Sequence, residues 1–183
     1  MNRETDPDAE LVFKAAAGDR KAFASLVRSH YNRLFRLVWR MVGSREDAED
    51  IVQDVCFTLA TRIDTFRGES KVSTWLAGIA INAARDFLRR RKARMNTLEG
   101  YAAVVNLFPQ ADEHNPQRAL WLAGALGRLK DDLRETVILV AGEGLSHAEA
   151  AEVLNVTENT VSWRMFEARK ALSREGIAEV FHD

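Results

Sequence analysis

Apolar residues recur at intervals of three and four over most of the chain, which is the period of an amphipathic helix. The pattern predicts a short helix over 11–17 and a long helix over 23–41 that ends at Gly43. Ser44 is a natural N-cap for the next helix, with Asp47 three residues later in an approximate capping box. No segment alternates polar and apolar residues as a half-buried strand does. The pattern therefore predicts an all-α fold.

Two further helices complete this first block, separated by a polar loop over 64–70. The helix after Ser44 buries Ile51, Val52, Val55, Leu59 and Ile63. On its opposite side, Asp47, Asp50 and Asp54 line up at spacings of three and four. The helix after the loop covers about 71–94, and its expected buried stripe is Val72, Trp75, Leu76, Ile79, Ala80, Ala83, Phe87 and Leu88.

Between 96 and 116 the periodicity dissolves around Gly100, Pro109 and Pro116, which predicts a linker. A second block follows, with helices expected over 120–129 and 133–141. The sequence therefore predicts two small helical domains, 1–95 and 117–183, joined by a linker over 96–116.

The second block contains a helix-turn-helix pattern. Ser146 and Glu149 form a complete capping box that opens a short helix ending at Leu154. Small Ala151 lies where two helices approach closely, and Asn155 tolerates the left-handed conformation of the turn. A second helix starts at Thr157 or Glu158, and its buried stripe is Val161, Met165, Ala168 and Leu172. A plain helix pair in a bundle is the alternative, but this spacing favours DNA binding.

Charge is distributed unevenly, although the formal net charge is only −1. The stretch 44–54 has one basic and five acidic residues, whereas 85–94 has six basic residues and one acidic residue. Either run alone is compatible with a solvated helix face. Together they suggest two partners of opposite sign.

The remaining composition argues against an enzyme and against export. The four histidines are scattered, with no Cys/His ligand spacing and no glycine-rich phosphate loop, so neither a metal site nor a cofactor is expected. The lone Cys56 is expected to be a buried small hydrophobe in a reducing compartment. No apolar run approaches the ~20 residues of a membrane span, and no secretory signal precedes the first helix. We therefore expect a cytoplasmic protein.

Three motifs resemble bacterial RNA polymerase sigma factors of the extracytoplasmic-function group. Residues 144–156 resemble the C-terminal sigma domain, and residues 43–54 resemble the polymerase-binding helix. Residues 66–70, together with 74–76 and 79–82, resemble the promoter-melting segment. The motifs occur in the order of the family and span the chain from about 18 to 172. A linker in place of the middle domain of larger sigma factors is also typical of this group.

The resemblance implies roles for specific residues. The acidic helix would bind the clamp coiled coil of the largest subunit of core RNA polymerase, and promoter DNA would be recognised at its −10 and −35 elements. The polymerase-binding set is Asp47, Asp50, Gln53 and Asp54. The set for the −10 element is Phe66, Arg67, Ser70, Asn82, Arg85 and Arg89. Trp75 would make a stacking platform for a base, but its place on the apolar stripe favours a core role.

The recognition helix departs from the usual sigma pattern. Trp163 and Glu167 stand where the family often has polar or basic residues, and Lys130 stands where proline is common. The residues expected to contact the −35 element are Thr157, Asn159, Thr160, Ser162, Trp163, Arg164, Phe166, Glu167 and Arg169. The resemblance also implies an anti-sigma factor as a partner. The alternative is a stand-alone helix-turn-helix regulator, which leaves the acidic helix and the 66–82 segment unexplained.

Overall fold

The computed structural model describes residues 6–95 and 126–173, and all regular structure within these ranges is helical. The N-terminal block contains α1 (Pro7–Ala16), α2 (Arg20–Val42), α3 (Arg45–Arg62), a 3₁₀ turn (Ile63–Thr65) and α4 (Val72–Met95). The C-terminal block contains α5 (Asp131–Val137), a π-helical segment (Ile138–Gly142), α6 (His147–Leu154) and α7 (Glu158–Ser173). The all-α prediction is confirmed over this part of the chain.

The helices of the N-terminal block begin and end at the residues that the sequence marks. The Asp19 carboxylate accepts hydrogen bonds from the first free N–H groups of α2, and Ser44 Oγ accepts one from Asp47 N at the start of α3. Gly43 ends α2 with a φ of 77°, a left-handed conformation that favours glycine. The first helix starts earlier than predicted, at Pro7, because Asp6 caps it.

The core of the N-terminal block is formed where α2 packs against α1, α3 and α4. Fully buried side chains include Leu26 and Leu37 of α2 and Leu59 of α3. Each such side chain stabilises the fold by ~1.5–3 kcal/mol through burial. The buried face of α4 is rotated from the predicted stripe, since Ile81 is buried whereas Ile79 is only half-buried.

In the C-terminal block, α5 and α6 both pack on α7 around Leu139, Met165 and Leu172. The expected single helix over 133–141 begins instead at Asp131 and changes to a π-helix at Ile138. Lys130 occupies the N-cap of α5 without a side-chain cap. The predicted linker and the start of the predicted 120–129 helix lie outside the described residues.

The two blocks contact each other along α4 and α6, and along α2 and the π-helical segment. Across residues 6–95 and 126–173, no helix combines the length and the apolar character that a membrane crossing requires.

Candidate polymerase and promoter interfaces

The acidic face of α3 lies on the outside of the N-terminal block. Asp50, Gln53 and Asp54 are exposed, because Ile51, Val52 and Val55 hold the other side of the helix in the core. Asp47 differs from these three: it is half-buried, with Oδ2 3.8 Å from Arg91 Nη1 of α4.

Phe57 also belongs to this face, although no family motif points to it. It follows Asp54 by three residues on α3, and 68% of its surface is exposed. The signal was present in the sequence, since an aromatic residue at this position falls outside the apolar stripe of the helix. Cys56, next to it, is half-buried rather than fully buried, and burial raises the pKa of its thiol.

The loop before α4 places Phe66 in the core, which differs from the expectation that it contacts a DNA base. Only 6% of Phe66 is exposed, and its ring centroid lies 5.9 Å from that of Phe13 and 5.2 Å from that of Trp75. The neighbouring Arg67 is exposed and Ser70 is half-buried. The loop therefore presents its polar residues outward and is anchored from within by Phe66.

Asp6 holds the junction between this loop and α4, a role that no pattern in the sequence predicts. Its Oδ2 accepts a hydrogen bond from Val72 N at 2.6 Å, and its Oδ1 accepts one from Asp8 N. Asp8 in turn contacts the buried His30, with 2.9 Å between Oδ2 and Nε2. The Asp6 carboxylate thus accepts hydrogen bonds from backbone N–H groups in the first turns of both α1 and α4.

The predicted DNA-binding residues of α4 have different surroundings. Asn82 is exposed, and Arg89 pairs with Asp86 of its own helix at 3.0 Å. Arg85 forms a bidentate ion pair with Glu135 of α5, in which Nη2 lies 2.6 Å from Oε2 and Nε lies 3.0 Å from Oε1. Trp75 is half-buried, so it is partly in the core as expected.

The helix-turn-helix is formed as predicted. Ser146 and Glu149 make the reciprocal hydrogen bonds of a capping box, and Asn155 ends α6 in the left-handed conformation with a φ of 55°. Ala151 is buried where α6 approaches α7, and the predicted α7 stripe from Val161 to Leu172 is buried.

Glu149 also contacts the other block. Its Oε1 lies 2.8 Å from Lys71 Nζ, just before α4. The hydrogen bond from Lys71, supported by those from Ser146, lowers the pKa of Glu149 to about 2.

The outer surface of α7 carries most of the residues predicted to read the −35 element. Trp163 and Phe166 are 57% and 62% exposed. Thr157, Asn159, Ser162 and Arg169 are also exposed, while Thr160 and Glu167 are half-buried. Ser162 Oγ lies 2.9 Å from His147 Nδ1 of α6, so the two helices are joined at this surface.

Arg164 differs from the other predicted residues of α7. Its side chain is only 16% exposed, and Nε lies 3.6 Å from Asp132 Oδ2 of α5. In this conformation it contacts the neighbouring helix of its own domain rather than facing outward.

Comparison with known proteins relates both blocks of the chain to one family. The protein-family model of sigma-70 region 2 matches residues 26–94, and the protein-family model of sigma-70 region 4 matches residues 119–172. The chain is 37% identical to the ECF RNA polymerase sigma factor SigM of Mycobacterium tuberculosis, over 94% of this chain and 86% of that protein. It is 32% identical to the ECF RNA polymerase sigma-E factor of Escherichia coli K12, over 92% and 93% of the two chains.

Two solved structures share the fold. CnrH, in complex with the cytosolic domain of CnrY, is 29% identical with a TM-score of 0.71, over 94% of this chain and 98% of that chain. The sigma factor RpoE from Bartonella quintana, in complex with the anti-sigma factor NepR, is 22% identical with a TM-score of 0.75, over 87% and 99%. The family-model matches and the near full-length similarity to SigM and sigma-E show that this chain belongs to the sigma-70 family, in the extracytoplasmic-function group of sigma factors.

Proposed function

We propose that this sigma factor, which directs promoter-specific transcription initiation, divides the task between its two domains. Residues 1–95 bind core RNA polymerase and the −10 element, residues 117–183 bind the −35 element, and 96–116 connect them. The observation that carries the proposal is the exposed acidic face of α3 on the same chain as a helix-turn-helix. The alternative, a stand-alone helix-turn-helix regulator, does not explain that acidic face. The match of sigma-70 region 2 to residues 26–94 also disfavours this alternative.

The polymerase-binding surface consists of Asp50, Gln53 and Asp54, with Asp47 at its edge. Carboxylates one helical turn apart suit a basic helix on the polymerase, where complementary charge sets the register and speeds association. Because Phe57 lies beside Asp54 and is exposed, it adds an apolar contact at one end of the surface.

The −10 surface consists of Arg67, Ser70, Asn82, Arg85 and Arg89. Opening the duplex without ATP requires contacts to unstacked bases, which Asn82 supplies from an exposed position on α4. The arginines bind phosphates, which set affinity rather than sequence. Phe66 supports the loop from the core instead of contacting a base.

The −35 surface is the outer face of α7. Trp163 and Phe166 supply apolar contact for thymine methyl groups, and Glu167 accepts a hydrogen bond from cytosine. Asn159, Ser162, Thr157, Thr160 and Arg169 complete the surface. Arg164 must leave Asp132 if it is to reach a phosphate.

We also propose where this chain acts and which partners it has. Binding of core polymerase and promoter DNA places its activity in the cytoplasm, and the chain itself carries out no chemistry. RpoE, whose fold is similar, was solved in complex with an anti-sigma factor. The resemblance of the sequence motifs to sigma factors also implies such a partner. We therefore include an anti-sigma factor among the proposed partners.

The decisive test reverses the charge of the α3 face. The double variant Asp50→Lys and Asp54→Lys should lose at least ten-fold in affinity for core polymerase, measured by fluorescence anisotropy with labelled protein. The fold should survive, because exposed substitutions of this kind change stability by only ~0.5 kcal/mol. The matched control is Glu10→Lys with Asp64→Lys, which reverses two exposed carboxylates elsewhere in the same domain. Equal core affinity for both variants, with unchanged helical circular dichroism, would refute the assignment.

A further inference from the structure

The residues assigned to the −10 surface include no exposed aromatic ring. Phe66 is only 6% exposed, and Trp75 is half-buried on α4. Opening a duplex without ATP draws binding energy from unstacked bases, and stacking on aromatic side chains is a main source of that energy. An aromatic platform for this surface must therefore come from another element of the domain.

Phe13 of α1 lies against the loop 66–70, which we call the −10 loop. Its ring centroid is 5.9 Å from that of Phe66, at an interplanar angle of 49°. A Cβ atom built on Gly68 would lie 3.7 Å from Phe13 Cζ, so the tip of the ring meets the turn of the loop at ordinary van der Waals distance. Because residue 68 is a glycine, with a φ of 70°, no side chain at this position covers the ring.

Phe13 nevertheless keeps a large free surface. It is 53% exposed, whereas its neighbour Val12 is fully buried and already fixes α1 on the core. A single exposed aromatic residue is ordinary on a protein surface, so exposure alone carries no argument. The position of this ring, directly against the −10 loop, makes its free face accessible to a base that the loop captures.

The ring is held firmly by the elements around it. Phe66 packs in turn on Trp75, with 5.2 Å between the ring centroids, so that three rings form a row from α1 to α4. Asp6 ties the start of α1 to the start of α4, because separate oxygens of its carboxylate accept hydrogen bonds from Asp8 N and Val72 N. A platform fixed in advance loses little conformational entropy when a base stacks on it.

Charge alone does not account for the capture of a base at this loop. Arg67 and Glu69 are both exposed and balance each other. Lys14, next to Phe13, is already paired with Glu10, with 2.6 Å between Nζ and Oε1. Arg67 can contact one phosphate, but a nearly neutral loop attracts a nucleic-acid strand only weakly. A stacking contact supplies affinity without any net charge.

We propose that Phe13 is the stacking platform of the −10 surface: one unpaired base of the −10 element lies on the free face of its ring, and Arg67 contacts the adjacent phosphate. The proposal rests on the assignment of the −10 loop and Asn82 to the −10 element. Since every base has a face that can stack, Phe13 contributes to affinity and promoter melting rather than to the choice of base.

The first test measures binding of the full chain, assembled with core RNA polymerase, to a promoter that this holoenzyme selects from randomised DNA. The fluorescein-labelled probe has a mismatched bubble over the −10 element, so that base capture is measured without the cost of melting. Phe13→Leu should bind about five- to ten-fold less tightly than the wild type, because leucine keeps an apolar contact with Phe66 but cannot stack. Phe13→Trp should stay within about two-fold of the wild type, since it retains a ring that can stack. The matched control is Tyr31→Leu, which removes another exposed ring of the same domain and should leave the affinity unchanged.

The second test separates stacking on a base from support of the loop. In a series of bubble probes, one base of the −10 element at a time is replaced by an abasic site. Stacking predicts that at one position the difference between the wild type and Phe13→Leu nearly disappears, because the base that contacts the ring is missing. A residue that only shapes the loop would weaken binding to every probe by the same factor.

The double variant Arg67→Ala and Asn82→Ala, measured on the intact bubble, separates this proposal from the −10 assignment. If that variant binds more weakly while Phe13→Leu binds as the wild type does, the −10 surface stands and the platform is overturned. If neither variant loses affinity, the −10 assignment fails and the platform fails with it. A uniform loss for Phe13→Leu across all abasic probes also overturns the stacking role.

Discussion

Truncation of Phe66 distinguishes a core residue from a base-contacting residue. Its ring is 6% exposed and packs against both Phe13 and Trp75. Phe→Ala substitutions at buried sites cost ~3–5 kcal/mol, of which each lost ring pair accounts for ~0.5–1.5 kcal/mol. In a domain of this size 1 kcal/mol moves the melting temperature by about 4–8 °C. Phe66→Ala should therefore lower the melting temperature by at least about 12 °C, as followed by far-UV circular dichroism.

Two companion variants make this measurement specific. Arg67→Ala changes the exposed neighbour and should alter stability by no more than about 0.5 kcal/mol. Phe66→Leu keeps most of the buried volume and should cost less than about 1.5 kcal/mol. At a temperature where all three are folded, promoter melting is read by permanganate footprinting. A Phe66→Ala protein that melts at the wild-type temperature yet fails to open the promoter would refute the core assignment and restore the base contact.

The remaining predictions concern both DNA surfaces and one ion pair. Asn82→Ala should reduce permanganate-reactive bases at the −10 element while core affinity stays unchanged; normal melting would make Asn82 an ordinary surface residue. The double variant Trp163→Ser and Glu167→Arg should change the sequence motif selected from randomised −35 elements, because each base contact contributes ~1–3 kcal/mol to discrimination. If the double variant and the wild type select the same motif, sequence specificity lies in other residues. Because the folded-state pKa of Glu149 is lowered to about 2 from 4.5, its ionised form stabilises the protein above pH 4.5. The difference in urea midpoint between wild type and Glu149→Gln should shrink as pH falls from 4.5 towards 2, and a constant difference would contradict the pairing with Lys71.

The sequence predicted the elements whose causes are local. The α2 end at Gly43, the Ser44 and Ser146 caps and the left-handed Asn155 each depend on a few neighbouring residues, and the structure confirms them. The buried stripe from Val161 to Leu172 was predictable for the same reason, because a clear helical period fixes which face is buried.

Residues whose environment is set by distant parts of the chain were not predictable in this way. Phe66 has the same apolar character whether it stacks on a base or fills a core, and only the position of α1 brings Phe13 against it. The pairing of Arg85 with Glu135 joins residues fifty positions apart, so no periodicity reveals it. Arg164 contacts Asp132 because α5 packs against α7 at that point. The residue pattern of α7 alone does not predict this packing.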